Sequence, residues 1–220
     1  MTITDLSIGY KKPILKGISF ELMPGRFVCL IGRNGTGKST LLKTLAGLLP
    51  PLEGQIWLDD RQLSQYTPTE VARRVALVLT STPDLANTTL RQLVAYGRLP
   101  YSSWLGKLHD ADWQAADQAI ARMSITHLAP RRLSELSDGE RQKAMIARAL
   151  AQGTDHLLLD EPSAFLDYES RQELMSLLLH LAHDEGKAIL LSTHDLELAR
   201  KHADQILDLN AFSASAKADK

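Results

Sequence analysis

The sequence predicts an α/β fold with a mixed sheet core, an antiparallel β portion at the N-terminus and a helical subdomain in the middle. Three observations predict this class. The first third consists of short apolar runs separated by turn residues. One apolar strand is followed directly by a glycine-rich loop and a helix, and the last third alternates apolar strands with amphipathic helices.

The N-terminal third contains most of the predicted strands. They are expected at residues 3–10, 16–22, 26–31, 54–58 and 75–79. A helix is predicted from Lys38 to about Leu49, where Pro50-Pro51 would stop it. The run Val75-Ala-Leu-Val-Leu79 is apolar throughout, which favours a buried parallel strand.

The helical subdomain is predicted at about residues 86–152. Helices at 89–96 and 111–123 flank a loop that contains Pro100, Tyr101, Trp104 and Gly106. A third helix begins in the segment Leu136-Ser-Asp-Gly-Glu-Arg-Gln-Lys143 and extends to Ala151. Its start has the pattern of a capping box.

The chain then returns to alternating strands and helices. Strands are predicted at 156–160, 188–191 and 205–209, and helices at 168–184 and 195–202. Leucines in the longer helix recur at the spacing that packs a helix on a sheet; they are Leu174, Leu177, Leu178 and Leu181. We predict one domain over residues 1–209 and a loosely ordered tail over 210–220.

Charge and composition exclude several function classes. The 220 residues contain 25 basic and 26 acidic side chains, so no global positive field attracts nucleic acid or anionic lipid. The single cysteine, Cys29, lies in an apolar run and is expected to be buried. No segment approaches the roughly 20 apolar residues that span a bilayer, and residues 1–5 lack the features of a signal peptide. If the protein works at a membrane, we expect other chains to span it.

A phosphate-binding loop is predicted between the third strand and the first helix. The segment Gly32-Arg-Asn-Gly-Thr-Gly-Lys-Ser-Thr40 fits the pattern G-x-x-x-x-G-K-[ST] and has the required strand before it and helix after it. Lys38 would reach the β- and γ-phosphates of a nucleotide, and the Ser39 hydroxyl would bind Mg²⁺. The predicted nucleotide-binding residues of this loop are Gly32, Arg33, Asn34, Gly35, Thr36, Gly37, Lys38, Ser39 and Thr40.

Two adjacent carboxylates follow another apolar strand. In Leu157-Leu-Leu-Asp-Glu-Pro162, Asp160 would hold Mg²⁺ through its water shell. Glu161 would orient or deprotonate the water that attacks the γ-phosphate. This hypothesis places the strand next to the one that leads into the phosphate loop.

Five motifs, in this order and spacing, resemble an ABC-type ATPase cassette. They are the phosphate loop at Gly32, Leu-Ser-Asp-Gly-Glu at Leu136, Leu-Leu-Leu-Asp-Glu-Pro at Leu157, Phe-Leu-Asp at Phe165 and Ser-Thr-His-Asp at Ser192. The resemblance covers about residues 1–209 and implies an ATPase with ATP and Mg²⁺ as cofactors. It also implies a head-to-tail dimer in which residues 136–140, the signature, of one chain close over the ATP held by the other.

The resemblance also implies roles for single residues. Ser137 and Gly139 would contact the γ-phosphate across the dimer, and Asp167 would lie at the interface near the opposite phosphate loop. His194 would hold the γ-phosphate and the attacking water, and the Tyr10 ring would stack on adenine. For Tyr10 the alternative is an aromatic ring at a strand end that packs against the core.

The signature departs from the family's usual Leu-Ser-Gly-Gly-Gln, because Asp138 and Glu140 replace Gly and Gln. Glu140 completes the capping box with Ser137, and we expect Asp138 to point away from the nucleotide. Arg141 and Lys143 lie in the first turns of the helix, where the macrodipole disfavours cations unless an anion is nearby. These two cations therefore favour a bound ligand.

A second departure follows the strand at 75–79. The family usually has a Gln there that contacts Mg²⁺ and relays nucleotide state to a membrane partner, and this sequence has Thr80. A Thr hydroxyl has a shorter span but still reaches a metal-bound water. We keep Thr80 as a predicted metal contact.

A further stretch resembles the ATPases of importers for iron–siderophore complexes, haem and cobalamin. It runs from Thr89 to Arg98 and continues through Leu99-Pro-Tyr101 and Trp104-Leu-Gly-Lys107. The resemblance implies a homodimer that serves integral membrane permease subunits, and indirectly a substrate-binding protein, at the cytoplasmic face of the inner membrane. Tyr101 and Trp104 would contact the permease; the alternative is that this region packs internally.

Two other classes of ABC protein stay open. A soluble ABC ATPase that acts on nucleic acid or ribosomes usually has long coiled coils or a second cassette, and the compact stretch between Lys38 and Ser137 has no heptads. Neutral charge also counts against this class, so we expect no nucleic-acid partner. An exporter ATPase differs from an importer ATPase only in the resemblance of residues 89–107. His180 and His183 are expected to be solvated near a helix end rather than metal ligands.

Overall fold

The computed structural model describes residues 1–80, 85, 87–102 and 106–213. Its strands, in chain order, are β1 (Thr2–Gly9), β2 (Pro13–Glu21), β3 (Phe27–Ile31), β4 (Glu53–Leu58), β5 (Arg61–Gln62), β6 (Val75–Val78), β7 (His156–Asp160), β8 (Ala188–Thr193) and β9 (Gln205–Asp208). Its α-helices are α1 (Lys38–Leu45), α2 (Pro68–Ala72), α3 (Leu90–Ala95), α4 (Asp110–Arg122), α5 (Asp138–Gln152), α6 (Tyr168–His183) and α7 (Leu196–His202). The predicted α/β class is confirmed.

The described strands form two separate sheets. The N-terminal sheet is antiparallel, in the order β2-β1-β4-β5, and the other sheet is parallel, in the order β6-β7-β8-β3-β9. Apolar residues on one face of the antiparallel sheet pair across strands, for example Ile3 with Phe20 and Ile56. The prediction that β7 lies next to β3 is wrong, because β8 runs between them. The order of strands in a parallel sheet depends on how each helical crossover packs, which motif order alone does not determine.

The parallel sheet has a core on each face. Alternate residues of β3 divide between the two cores. Phe27 and Cys29 lie in the core formed with α3 to α7, whereas Val28 and Leu30 lie in the core formed with α1 and the antiparallel sheet. A strand that is buried on both faces is therefore apolar at every position. Cys29 is fully buried, as predicted, and burial raises the pKa of its thiol to about 12, so the thiol is not a nucleophile at neutral pH.

The helical region packs as one group, since α3, α4 and α5 contact one another and α5 also contacts β6. The predicted loop after α3 is partly wrong, because Tyr96–Tyr101 form a 3₁₀-helix that includes Pro100. Gly106 lies outside regular structure, and Trp104 lies outside the described residues. Whether residues 86–152 form a subdomain in their own right stays a prediction.

Helix α1 ends earlier than predicted. Its last residue is Leu45, and the backbone of Gly47 adopts a φ of 72°. The Gly47 N–H donates to the Thr44 carbonyl at 3.0 Å and the Leu48 N–H donates to the Lys43 carbonyl at 2.9 Å. These two bonds form a Schellman motif, so Gly47 ends the helix before Pro50-Pro51 is reached.

The C-terminal segment is more ordered than predicted where it is described. Leu209–Phe212 form a 3₁₀-helix, and Ser213 pairs with Leu15 of β2. Asp208 caps this helix by accepting the Asn210 N–H at 2.9 Å. Residues 214–220 lie outside the described residues. Within the described part of the chain, no helix has the length and apolar character needed to cross a bilayer.

Candidate active site

The loop between β3 and α1 is shaped by glycines. Gly35 and Gly37 have φ values of 78° and 108°, a region that favours glycine. At Gly37, a Cβ atom would lie 3.1 Å from Ile14 Cγ2, so β2 also leaves little room for a side chain. Arg33, Asn34 and Gly35 are exposed, and this part of the loop is open to a ligand.

The N-terminus of α1 receives no side-chain cap. Its N-cap residue is Gly37, which has no side chain that can accept the free N–H groups of the first turn. Five other α-helices of the described residues have such a cap, supplied by Thr67, Thr89, Ser137, Asp167 and Asp195. The free N–H groups of α1 are therefore available to an anion, and the glycine-rich loop before them fits a phosphate chain.

Lys38 places a nearly buried positive charge inside this loop. Its side chain is 7% exposed, and its Nζ donates to the Gly32 carbonyl at 3.0 Å and lies 3.3 Å from Glu161 Oε1. The lysine thus points back over the loop, with Glu161 as its partner. Its contact with the β- and γ-phosphates stays a prediction.

The ends of β7 and β8 bring the remaining polar groups to the same place. Asp160 is buried and accepts a hydrogen bond from Ser192 Oγ at 2.7 Å. The Glu161 N–H donates to Ser192 Oγ at 3.0 Å and to the Ser192 carbonyl at 3.2 Å. Glu161 has a φ of 46°, in the left-handed region, which costs about 1–2 kcal/mol for a residue with a side chain.

His194 lies beside Glu161, as its position after β8 predicts. Its Nδ1 atom is 3.3 Å from Glu161 Oε2, and its side chain is 69% exposed. Glu161 is therefore contacted by Lys38 on one carboxylate oxygen and by His194 on the other. The open side of His194 leaves room for a ligand over the carboxylate.

Thr80, two residues after the end of β6, contacts the same strand end. Its Oγ1 donates to the Asp160 carbonyl at 3.0 Å. The hydroxyl oxygen can still accept a hydrogen bond from a metal-bound water. The role of Thr80 as a metal contact stays a prediction, and the structure adds a direct link to the backbone of Asp160.

The oxygen atoms that the site offers as metal ligands suit Mg²⁺ that is bound together with phosphates. Among the described residues, no three His, Cys, Asp or Glu side chains come together to hold a metal ion by themselves. Mg²⁺ typically keeps several waters and binds one or two protein oxygens plus substrate phosphates. Ser39, at the start of α1, and Asp160 are protein oxygens of that kind and fit such a site.

The signature forms the predicted capping box. Ser137 Oγ accepts the Glu140 N–H at 3.3 Å, and Glu140 Oε2 accepts the Ser137 N–H at 2.8 Å. The Ser137 N–H, and the Ser137 hydroxyl that donates to Glu140 Oε2 at 2.9 Å, lower the pKa of the Glu140 carboxyl. Gly139 packs closely on the following motif, since a Cβ there would lie 2.9 Å from the Phe165 carbonyl oxygen.

The cations of α5 have partners within the chain. Arg141 pairs with Asp138, and it also donates to the Leu136 carbonyl at 2.7 Å. Lys143 lies 3.9 Å from Glu173 of α6. These cations therefore need no bound ligand to explain them, because Asp138 and Glu173 are anions that offset their unfavourable position at the helix start. The same pair explains Asp138, the substitution in the signature. A ligand at this site stays a prediction.

Asp167 and Tyr10 are both accessible. Asp167 caps α6, where Oδ1 accepts the Ser170 N–H at 2.7 Å, and this bond lowers the pKa of its carboxyl. Tyr10 follows β1 and is 63% exposed, so the alternative of an aromatic ring packed in the core is wrong. Phe165 and Tyr168, on either side of Asp167, are exposed as well.

The aromatic region after α3 packs inward in part. The Tyr101 ring lies under the Arg98 guanidinium, 4.0 Å from its centre, and its hydroxyl donates to the Arg73 carbonyl at 3.4 Å. Tyr101 therefore packs against its own chain, as the alternative expects, and its contact with a permease stays a prediction. Among the described residues of this region, Tyr96 and Leu99 are exposed apolar side chains. His180 and His183 are bound to Asp184 and Asp204 rather than grouped for a metal.

The structure thus collects the predicted residues into two groups. Lys38, Asp160, Glu161 and His194 meet at the end of the parallel sheet. The signature and Asp167 lie along a second surface. The two segments adjoin there, because Gly139 packs closely on the backbone of Phe165. Among the described residues, no hydrogen bond or ion pair links the start of α5 to the phosphate loop. Ser192 holds Asp160 and Glu161 together, a role that its place in the motif Ser-Thr-His-Asp does not indicate.

The sequence and the fold of this chain are similar to those of known nucleotide-binding proteins. Residues 15–164 match the family model of ABC transporters. The achromobactin transport ATP-binding protein of Dickeya dadantii is 38% identical over 100% of this chain and 83% of its own length. The ferric enterobactin transport ATP-binding protein of Escherichia coli is 38% identical over 93% of this chain and 76% of its own length. A solved structure described as an inward-facing metal-chelate type ABC transporter is 30% identical, with a TM-score of 0.82 over 94% of this chain and 78% of that one.

Proposed function

Because this chain belongs to the ABC transporter family and is one of its ATPases, with ATP and Mg²⁺ as cofactors, we propose that it is the ATP-binding subunit of an iron-chelate importer. MgATP hydrolysis at its site drives uptake through a separate membrane permease. The observation that carries this proposal is the similarity, over nearly the whole chain, to ATP-binding proteins named for siderophore transport.

The proposed chemistry uses the group at the end of the parallel sheet. Glu161 is the base for the attacking water, and His194 holds that water and the γ-phosphate. Lys38 and the free N–H groups of α1 bind the phosphates, and Asp160 with Ser39 binds Mg²⁺. The contacts of Glu161 with Lys38 and His194 support these roles.

The proposed assembly is a homodimer in which each nucleotide lies between two chains. The phosphate loop of one chain and Ser137, Gly139 and Asp167 of the other form each site. The supporting observation is that the signature and Asp167 lie along one accessible surface, and that Phe165 and Tyr168 expose aromatic area beside it. Such a surface suits contact with a second copy.

A groove beside α1 supports contact with a permease. It has a volume of about 890 Å³ and lies between the C-terminal end of α1, helix α2 and the Met145, Arg148 and Gln152 side of α5. It reaches Leu79, next to Thr80 of the active site. Arg73 at the end of α2 donates to the Pro100 carbonyl at 2.8 Å, so the groove adjoins the predicted permease-contact region.

The relatives favour a siderophore as substrate. Several are named for achromobactin, enterobactin, petrobactin or hydroxamate transport, and we extend that substrate class to this chain. Haem and cobalamin are the other substrates that the sequence resemblance allows. An exporter ATPase and a soluble ABC ATPase are alternative functions, and no described feature favours either.

The proposal is tested by transport in membrane vesicles. The chain is co-expressed with candidate permeases, and ATP-dependent uptake of a ferric siderophore, haem and cobalamin is compared. We expect uptake of the ferric siderophore, and none with the E161Q chain. Uptake of haem or cobalamin alone would correct the substrate, and ATP-driven export would overturn the importer assignment.

A further inference from the structure

Ser192 links the two carboxylates of the active site through one buried hydroxyl. It lies in β8 directly opposite Asp160 of β7 and is fully buried, with 0% of its surface exposed. Its Oγ donates to Asp160 Oδ1 at 2.7 Å and accepts the Glu161 N–H at 3.0 Å. A single side chain therefore contacts both the side chain of Asp160 and the backbone of Glu161.

The chemistry of the three groups fixes the direction of these bonds. A carboxylate only accepts hydrogen bonds and an N–H only donates, so the hydroxyl gives its one hydrogen to Asp160 and accepts from Glu161 with a lone pair. A residue at this position must do both. Of the small side chains that fit a buried strand, Ser and Thr satisfy this requirement, and Ala satisfies neither half of it.

The bond to Asp160 sets the orientation of its carboxylate. Oδ1 is taken by Ser192, and none of the hydrogen bonds described for this chain uses Oδ2. On the other side, Thr80 donates to the Asp160 carbonyl at 3.0 Å. Asp160 is thus held from both sides, by its side chain from Ser192 of β8 and by its backbone from Thr80, two residues after the end of β6.

The bond to Glu161 supports an unfavourable backbone conformation. Glu161 has a φ of 46°, and its N–H is shared between the carbonyl and the hydroxyl of Ser192. Strained residues of this kind persist only when their surroundings hold them. This conformation directs the Glu161 side chain to Lys38 and His194.

We propose that Ser192 is a positioning residue for the Mg²⁺–nucleotide site. It turns Asp160 so that Oδ2 is free for the water shell of the metal, and it fixes the backbone from which Glu161 acts. This inference rests on the proposed roles of Asp160 and Glu161. Groups that orient metal-binding side chains in this way typically contribute about 10–100-fold to metal affinity or activity.

The test measures metal binding rather than turnover. Mn²⁺ binding to the full chain with a non-hydrolysable ATP analogue is followed by electron paramagnetic resonance of free Mn²⁺. We expect S192A to weaken Mn²⁺ binding about tenfold and S192T to restore most of it, because Thr returns the hydroxyl. The matched control is S7A, since Ser7 is also a buried strand serine that donates to a carboxylate, Glu53 Oε2 at 3.2 Å, outside the site.

The outcomes separate this inference from the proposed function. Thermal unfolding first confirms that each variant is folded. If folded S192A binds Mn²⁺ as the wild type does, or folded S192T is as weak as S192A, the role of Ser192 is overturned. A D160N variant tests the premise: if D160N also binds Mn²⁺ normally, the metal role of Asp160 fails, and the inference about Ser192 fails with it.

Discussion

Glu161 is held at three points that all depend on its position after β7. Lys38 Nζ and His194 Nδ1 each lie 3.3 Å from one of its carboxylate oxygens, and its N–H is bound by Ser192. The Lys38 and Glu161 side chains are only 7% and 22% exposed, so removal of either side chain takes away an ion-pair partner that water replaces poorly. A nucleotide phosphate that binds Lys38 must compete with this carboxylate.

The competition leads to a prediction for E161Q. The amide keeps the size of the side chain but neither accepts a proton nor competes as an anion for Lys38. We expect phosphate release to fall by at least about a hundredfold, as is typical when a general base is lost, and ATP affinity to stay equal or become tighter. Turnover and binding of a fluorescent ATP analogue are measured together. E21Q, on the exposed end of β2, is the control that leaves both unchanged. Turnover of E161Q close to that of the wild type contradicts the assignment.

The position of a site residue relative to the strands decides whether the sequence alone indicates its role. Lys38 follows β3 through the glycine-rich loop, Asp160 is the last residue of β7 and His194 comes directly after β8. Parallel strands bring these ends to one edge. Ser192 lies near the end of an apolar strand and begins the motif Ser-Thr-His-Asp, but that motif assigns a role to His194 and none to the serine. Its role depends on the register with Asp160, which only the structure gives. The pairing of Asp138 with Arg141 was visible as an i, i+3 spacing.

At the scale of elements, the helix caps distinguish ligand sites from structural ones. Three α-helices of the described residues begin with a reciprocal box built on a Ser or Thr hydroxyl, formed by Thr67 with Glu70, Thr89 with Gln92 and Ser137 with Glu140. A cap of this kind satisfies the free N–H groups and needs no ligand to explain it. The question for Ser137 is whether it does more than the other two.

A comparison of two alanine variants answers it. S137A and T67A each remove an N-cap hydroxyl, so each should lower the free energy of unfolding by about 1 kcal/mol, measured in urea. Only S137A should also lower ATP turnover, by about tenfold, if its hydroxyl contributes a hydrogen bond to the phosphates. Equal turnover of folded S137A and T67A would show that Ser137 is a cap alone.

Element boundaries were predictable where a single strong signal was present. The N-terminus of α5 was set by its capping box, and the start of α1 by the phosphate loop. The end of α1 is predicted about four residues too late, because Pro50-Pro51 is a stronger sequence signal for a helix end than Gly47 is. The Schellman bonds at Gly47 close the helix without any proline. The segment 96–101 is a 3₁₀-helix although a loop is predicted there. Proline usually indicates a turn or loop, but this 3₁₀-helix accommodates Pro100.

At the scale of the whole molecule, the two sheets meet at His156. This residue begins β7 of the parallel sheet, and its Nε2 lies 3.3 Å from the amino group of Met1, which adjoins the antiparallel sheet. His156 is buried and its Nδ1 has no partner among the described residues. Burial, and secondarily the nearby amino group, lower the pKa of His156 below its usual 6.5.

The lowered pKa predicts that acid weakens the fold. The unfolded chain binds a proton at His156 near pH 6.5, whereas the folded chain resists it, so stability falls as pH drops below about 6.5. The slope is at most about 1.4 kcal/mol per pH unit for one group. Urea unfolding between pH 8 and pH 5 should show a shallower slope for H156Q than for the wild type. H127Q, at an exposed histidine, is the control, and an unchanged slope in H156Q contradicts the prediction.

The proposed head-to-tail dimer makes the site a property of two molecules. In this arrangement, the phosphate loop of one chain works with the signature of the other. A chain with K38A has a defective loop but an intact signature, and a chain with S137R has the reverse. Each variant alone contains two defective sites per dimer and should be inactive.

Mixing the two variants distinguishes this dimer from a site within one chain. In a K38A–S137R pair, one site combines both defects, but the other combines the intact loop of the S137R chain with the intact signature of the K38A chain. If pairing is random, half of the dimers are mixed and each has one intact site, so the mixture should recover about a quarter of wild-type ATP turnover. If each chain instead forms its own complete site, every chain in the mixture still carries one defect, and both variants stay inactive however they are mixed. A mixture with no activity, formed from chains that are each folded, therefore excludes the head-to-tail arrangement.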